Sequence, residues 1–450
     1  MNTIAEDLRL RLSETRDRIR GVDVLRRAGR VIRAIGLAVE SLGPRVAVGE
    51  ECRLEDADGV LLSYAEVIGF EGPRVYSMPV DPVRGLRHGN RVVATGRHPR
   101  VSVGDALLGR VLNGIGEAID GQGALLCERS VSIYGDPLPA LERPRISEAM
   151  ATGIRAIDGL LTLGRGQRIG IFAGAGVGKS RLLGGIARNA SDDVIVIALV
   201  GERNREVREF IECELGEAGL KRSVVFVATS DESPLRRVRC ALAATTVAED
   251  FRSRGKKVTL LMDSLTRVAM ALREIGLAAG EPPSTKGYTP SVFAFLPRLL
   301  ERAGRDASGG AVTGIYTVFV EGDDLNDPVS DASRAILDGH IVLARSLAER
   351  SHYPSIDVLA STSRVMNQVV PGKQEFFARR MRRLMAIYRD NADLVAIGAY
   401  RQGADPELDE AVRWRQAIQD FLQQDLTLPS TMEQTRQELA HIGSEEDVSR

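Results

Sequence analysis

One stretch of eight residues restricts this chain more than any other: Ala173-Gly174-Ala175-Gly176-Val177-Gly178-Lys179-Ser180. It follows the apolar run Arg168–Phe172 and precedes Leu182, Leu183 and Ile186, which share one face of a helix. A glycine-rich turn between a strand and a helix lets consecutive backbone N–H groups wrap a phosphate. Lys179 adds a positive charge for the β and γ phosphates, and Ser180 a hydroxyl for Mg²⁺. The pattern is that of a phosphate loop with Ala173 in the place of its first glycine. The competing reading is a glycine-rich turn without a ligand. Lys-Ser directly after the glycine, at a strand–helix junction, favours the phosphate.

The rest of the chain supplies the sheet that such a loop needs. Val194–Val200, Ser223–Ala228, Val258–Met262 and Ile315–Val320 are short runs, apolar on both faces. Longer helical stretches separate them, Leu235–Arg254 among these. Residues 96–370 therefore predict an α/β domain: a parallel sheet covered by helices on both sides. Residues 21–95 read as short strands with Gly and Pro punctuation: RVIRAIG, RVAVGE, EVIGF, RVYSMPV and RVVATG. They predict a small β-barrel. Residues 371–450 read as helical. Phe377, Met381, Leu384 and Tyr388 are spaced as a helix face, as are Val412 or Trp414, Ile418, Phe421 and Leu422. From about Thr427 the chain turns polar, which predicts a loosely ordered tail. Residues 1–20 place Ile4, Leu8, Leu12 and Ile19 on one helical face. That segment is either a solvated terminal helix or a docking helix for a partner or a membrane surface.

Composition limits the partners. The 450 residues carry a formal net charge of −1, so a broad basic footprint for nucleic acid is not expected. Aromatics make up 4%, which leaves few platforms for stacking bases. Cys52, Cys127, Cys213 and Cys240 are scattered, without metal-ligand spacing, and fit a reducing compartment. No apolar run is long enough for a membrane span, and the N-terminus lacks the apolar core of a signal peptide. A cytoplasmic location is expected. His88, His98, His340, His352 and His441 form no ligand pair.

Three further positions carry candidate chemistry. Asp263 ends the buried run Val258–Met262; it is either a cap or a group that controls Mg²⁺. Glu202 follows the run Val194–Val200 and can polarise an attacking water, or stand as a solvated charge. Arg364, in Ser361-Thr362-Ser363-Arg364, is either one surface arginine of many or a finger inserted into a neighbour's site.

These residues lie in segments that resemble a known family. TGIRAIDGLLTLGRGQRIGIFAGAGVGKS, GERNREVREF, LLMDSLTRVAMALREIG and PSIDVLASTSRV are similar to the catalytic subunits of rotary ATP synthases. ALLGRVLNGIGEAIDG at 106–121, EPPSTKGYTPSVFAFLPRLLERAG at 281–304 and the stretch 316–361 resemble the flagellar and type III secretion export ATPases within that family. The resemblance runs from about residue 25 to 425, and nothing from Thr427 to Arg450 adds to it.

The resemblance implies an N-terminal β-barrel, a RecA-like P-loop ATPase core and a C-terminal helical domain. It implies ATP and Mg²⁺, a homohexamer, and sites shared between subunits. By motif position it makes Glu202 the glutamate that orients water, Asp263 the Walker B aspartate and Arg364 the trans arginine finger. Arg203 follows Glu202 as in the family. Nucleotide contacts are implied for Gly174, Ala175, Gly176, Val177, Gly178, Lys179, Ser180 and Arg181. Tyr353 stands where the synthase β subunit has an adenine-stacking tyrosine. Ser180 and Asp263 are the implied metal residues. A stator-like regulator, a stalk protein, an export gate, export substrates with their chaperones, and peripheral contact with the inner membrane complete the implied partners. Three other readings compete: a rotary synthase subunit; a Rho-type RNA translocase, whose core shares a DSxTR segment like Asp263–Arg267; and a non-enzymatic regulatory subunit, which would normally lose Lys179 or Glu202, both present here. Against the second, residues 21–95 offer Tyr64, Phe70 and Tyr76 without a basic-aromatic cluster.

Overall fold

The computed structural model describes residues 27–320 and 327–443. The amphipathic segment expected over residues 1–20 lies outside them. The chain forms two compact units that divide between Pro99 and Arg100.

In the first unit six strands close into an antiparallel barrel: β1 (Ala28–Ile35), β2 (Ala38–Leu42), β3 (Glu51–Glu55), β4 (Leu61–Glu71), β5 (Arg74–Pro79) and β6 (Arg91–Ala94). Their order is β1-β2-β5-β4-β3-β6, and β6 pairs back onto β1. Alternate residues point inward, so Val31, Val39, Cys52, Leu54, Val67 and Val92 fill the interior. The expected strand at RVAVGE is corrected: residues 45–50 form a loop between β2 and β3. Gly43 and Gly49 flank it at φ 65° and 81°. The Glu50 carboxylate accepts from the backbone of Ala47 (3.1 Å) and of Gly96 (3.0 Å). A side chain thus serves part of the loop's backbone, in place of a neighbouring strand.

The second unit is built on one sheet. In chain order its main strands are β7 (Val111–Asn113), β8 (Arg168–Ala173), β9 (Val194–Glu202), β10 (Ser223–Thr229), β11 (Lys257–Asp263), β12 (Ala311–Phe319), β13 (Gly339–Leu343) and β14 (Ile356–Ser363). They lie side by side as β14-β13-β8-β12-β11-β9-β10-β7. Every neighbouring pair is parallel except β13 with β14. Side chains on β9 alternate between two cores: Val194, Val196, Ala198 and Val200 face one, and Ile195, Ile197 and Leu199 face the other. This explains the continuous apolar runs, since a strand covered on both faces has no polar side.

Seven helices matter below: α1 (Arg155–Leu160), α2 (Lys179–Asn189), α3 (Pro234–Ser253), α4 (Leu265–Ala278), α5 (Gly372–Asp390), α6 (Pro406–Leu422) and α7 (Met432–Gly443). Helix α3 starts where Ser233 caps the Arg236 N–H and Pro234 takes the first turn. It is buried along most of its length, which suits its small residues Cys240, Ala241, Ala243, Ala244 and Ala248. Met381, Leu384, Ile418, Phe421 and Leu422 of α5 and α6 join the core that also holds Leu182 and Leu183 of α2. Residues 432–443 are helical and packed, with Leu439 and Ile442 in that same core. This corrects the expectation of a loose tail from Thr427 as far as residue 443. The polarity there belongs to the exposed faces of a short helix.

The helical elements are fastened to α1. Its Asp158 is fully buried, and its carboxylate accepts from the Thr152 and Gly153 N–H groups, both at 2.9 Å. Burial pushes the Asp158 carboxyl up to about 6, against those bonds. Gln374 of α5 donates to the Asp158 carbonyl at 2.9 Å and accepts from Arg436 of α7 at 2.8 Å.

Candidate functional site

The carboxyl ends of β8, β11 and β9 converge on one edge of the sheet, the place where parallel α/β sheets bind ligands. β8 runs into the loop Gly174–Gly178, and α2 begins at Lys179. Gly176 and Gly178 hold φ 77° and 88°, a region that favours glycine and turns successive N–H groups toward one side. Ala173 is the last residue of β8, buried and extended. Its backbone makes no demand for glycine, which explains why a methyl is tolerated there.

Lys179 reaches across the sheet edge. Its Nζ lies 2.6 Å from Asp263 Oδ1 and 3.4 Å from Glu202 Oε1. Burial opposes the charge on Lys179, but Asp263 and Glu202 outweigh it and raise its pKa. Asp263 also accepts from the Thr317 hydroxyl of β12 at 2.6 Å. Glu202 is pushed up to about 7, first by burial and then by the Asp263 charge, against the pull of Lys179. A hydrogen bond to Glu206 adds to the shift, and Glu206 is held low by the same bond. The bond thus favours the protonated form of Glu202 and the ionised form of Glu206.

Ser180 and Arg181 are exposed on the first turn of α2, as are Ala175 and Gly176 in the loop. The loop N–H groups, Lys179, the Ser180 hydroxyl and the Asp263 carboxylate offer the donor set of a nucleotide with a hard divalent cation. Tyr353 stands against the loop: a Cβ on Gly178 would meet its ring at 3.3 Å. The Ser355 hydroxyl ties that segment to the Val177 carbonyl at 2.6 Å. Arg203 points elsewhere. Its side chain is exposed and lies 3.6 Å from Glu206.

Arg364 lies at the opposite edge. Antiparallel β14 starts beside Leu343 and ends at Ser363 beside Gly339. The Arg364 N–H donates to the Asp338 carbonyl, and Asp338 binds Arg168 at the start of β8. The phosphate loop begins five residues further along β8, about 17 Å away at strand rise. The structure thus gathers Lys179, Ser180, Glu202, Asp263 and Tyr353, and leaves Arg364 apart, in a cleft with Arg379 and Arg382.

No motif of the sequence singles out Thr317 or Ser355. A lone threonine inside the apolar run Ile315–Val320 is the available signal for the first. Nothing local marks the second.

Comparison with known proteins gives the family and the fold. The beta-barrel domain model of the ATP synthase alpha/beta family matches residues 31–96, and its nucleotide-binding domain model matches 153–363. The C-terminal domain model of the type III secretion ATPase EscN matches residues 370–441. A flagellum-specific ATP synthase of Pseudomonas aeruginosa is 50% identical over 417 residues, 92% of each chain. The chain belongs to the flagellar and type III secretion ATPases of the ATP synthase alpha/beta family. A type 3 secretion system ATPase of Xanthomonas euvesicatoria is 51% identical over 417 residues, covering 93% of this chain and 94% of the relative. The assembled EscN ATPase of enteropathogenic E. coli superposes with TM-score 0.88 at 45% identity, covering 92% of this chain and all of that one. EscN bound to its central stalk EscO gives 0.86 at 43% identity, with the same coverage. The family's C-terminal model extends through most of α7, so residues 427–441 belong to the family's C-terminal domain. The chain is an ATPase with an N-terminal barrel, a nucleotide-binding α/β core and a C-terminal helical region. Among the described residues no helix is long and apolar enough to cross a membrane.

Proposed function

We propose that this chain hydrolyses MgATP in a closed ring of identical subunits and thereby energises protein export through a flagellar or other type III secretion apparatus. The observation that carries the ring is the separation of Lys179 and Arg364. One chain holds a phosphate loop at one sheet edge and a candidate arginine finger at the other, so two chains are needed to bring them together.

The geometry supports the following roles. The N–H groups of 174–179 cradle the phosphates, and Lys179 exchanges its carboxylate partners for phosphate oxygens. Ser180 and Asp263 hold the metal, with Thr317 fixing the Asp263 carboxylate. Mg²⁺ held there would supply positive charge to offset that of the phosphates. Glu202, ionised, orients and polarises the attacking water. Glu206 stands beside it and accepts its hydrogen bond while Glu202 is protonated. Tyr353 stacks on the base, and Arg181 borders the phosphates. Arg203, exposed at the subunit surface, serves the site across the interface or through Glu206. Arg364 of one subunit stabilises charge on the phosphoryl group transferred in the next.

Among the described residues, we assign those up to Pro99 to the barrel unit, those from Arg100 to about 370 to the ATPase part and those from about 371 to 443 to the helical part. The ring works at the cytoplasmic face of the export apparatus. A stalk protein, a stator-like regulator, the export gate, and substrates with their chaperones are the partners; nucleic acid is not. Phosphate release by the purified chain tests the enzyme assignment, with Lys179→Ala as the comparison. The variant should lose turnover, because a charge-assisted phosphate contact is removed. Turnover like that of the native chain would overturn the site.

A further inference from the structure

The segment between α6 and α7, residues 423–431, touches the nucleotide site from a direction that the motifs do not announce. Gln424 donates its backbone N–H to the Tyr353 carbonyl at 3.0 Å. Its side-chain amide is bound on both ends. Oε1 accepts from the Arg155 N–H at 2.8 Å, while Nε2 donates to the Gly153 carbonyl at 2.8 Å and the Leu428 carbonyl at 2.9 Å. Arg155 also donates to the Gln423 carbonyl at 2.6 Å, and the Ser430 N–H to that of Gly153 at 3.0 Å. Two residues further on, Leu426 packs on Gly185 of α2, with 3.4 Å to a Cβ placed there.

We propose that Gln424 is a positioning residue for the nucleotide base: it holds the backbone of Tyr353 so that the ring stays at the phosphate loop. The assignment rests on the reading of Tyr353 as the base-stacking residue. Ser355 fixes one side of Tyr353, through Val177. Gln424 fixes the other. Three bonds to its amide leave the Gln424 backbone one orientation, and that orientation aims its N–H at Tyr353. A stacking ring adds affinity only if it is already in place, since ordering it on binding subtracts from the gain. The loop N–H groups and Lys179 do not depend on this bond. Loss of Gln424 should therefore weaken the hold on the base and leave the hold on the phosphates intact.

The test uses the full-length assembled protein and compares ATP with inorganic tripolyphosphate as a competitor. Gln424→Ala should raise KM for ATP about tenfold, the scale of a lost hydrogen bond, with kcat within about twofold. The inhibition constant of tripolyphosphate should not move. Gln424→Met keeps the volume without the bonds and should behave alike, whereas Gln423→Ala, at a position used through its backbone, should match the native chain. Tyr353→Ala combined with Gln424→Ala should be no worse than Tyr353→Ala alone, because one residue acts through the other. Additive losses, equal weakening of tripolyphosphate, or a native KM in both Gln424 variants would overturn the assignment. If Tyr353→Ala itself leaves ATP affinity unchanged, the base-stacking reading fails, and the role of Gln424 fails with it.

Discussion

At the scale of single residues, the chemistry turns on how three ionisable groups share a sheet edge. Lys179 lies between Asp263 and Glu202, and burial with the Asp263 charge pushes the Glu202 carboxyl up to about 7. A water-polarising carboxylate must be ionised, and Glu202 is protonated below that value and ionised above it. kcat/KM for ATP should therefore rise with pH through an apparent pKa near 7, since this parameter reports the free enzyme. A flat profile between pH 6 and 8 would remove Glu202 from the role. The same shift has a sign for stability. The folded state holds its proton where the unfolded chain, at about 4.5, has released it, so Glu202 costs stability as pH rises from about 4.5 to 7. Glu202→Gln removes that cost. It should bind ATP normally and hardly turn it over, which paired measurements of affinity and phosphate release will check. If turnover persists, Glu206 is the carboxylate that remains.

At the scale of elements, α2 carries the phosphate loop and is gripped on two sides through adjacent glycines. A Cβ on Gly184 would lie 2.6 Å from Glu214 Cβ and 2.9 Å from its carbonyl oxygen, whereas one on Gly185 would make ordinary contact with Leu426. Gly184→Ala should destabilise by about 1–3 kcal/mol through overpacking. Gly185→Ala should be neutral, or stabilise by up to about 1 kcal/mol through helix propensity. Thermal unfolding of the pair checks both signs. Leu439→Ala in α7 should cost about 2–5 kcal/mol if that helix belongs to the core, and nothing measurable if the tail were loose. What the chain declares in advance follows the same division. The phosphate loop, the buried strands and the ends of β9 and β11 are local patterns, so Lys179, Glu202 and Asp263 were readable in order. Thr317, Ser355 and Gln424 act through partners 54, 178 and 71 residues away (Asp263, Val177 and Tyr353), and no local pattern encodes such pairings. The tail misled because α7 buries Leu439 and Ile442 within a largely polar stretch, a signal too sparse to set a periodicity.

At the scale of the whole molecule, the sheet separates Lys179 from Arg364, the two halves of the proposed shared site. Lys179 lies at the carboxyl edge of β8, and Arg364 beside its amino edge. Specific activity should rise cooperatively with protein concentration as subunits close a ring, and a flat response from the dilute monomer upward would contradict shared sites. Arg364→Ala should assemble and bind ATP yet turn over about 10³–10⁵-fold more slowly, the range of known arginine fingers. The most direct measurement mixes Arg364→Ala subunits with Lys179→Ala subunits, each nearly inactive alone, with a tethered pair carrying one change in each half as the control for assembly. Interfaces that join an intact phosphate loop to an intact arginine should restore part of the phosphate release, in the mixture and in the tethered pair. Tethered rings that assemble and remain inactive would contradict the account that two neighbouring chains complete each site.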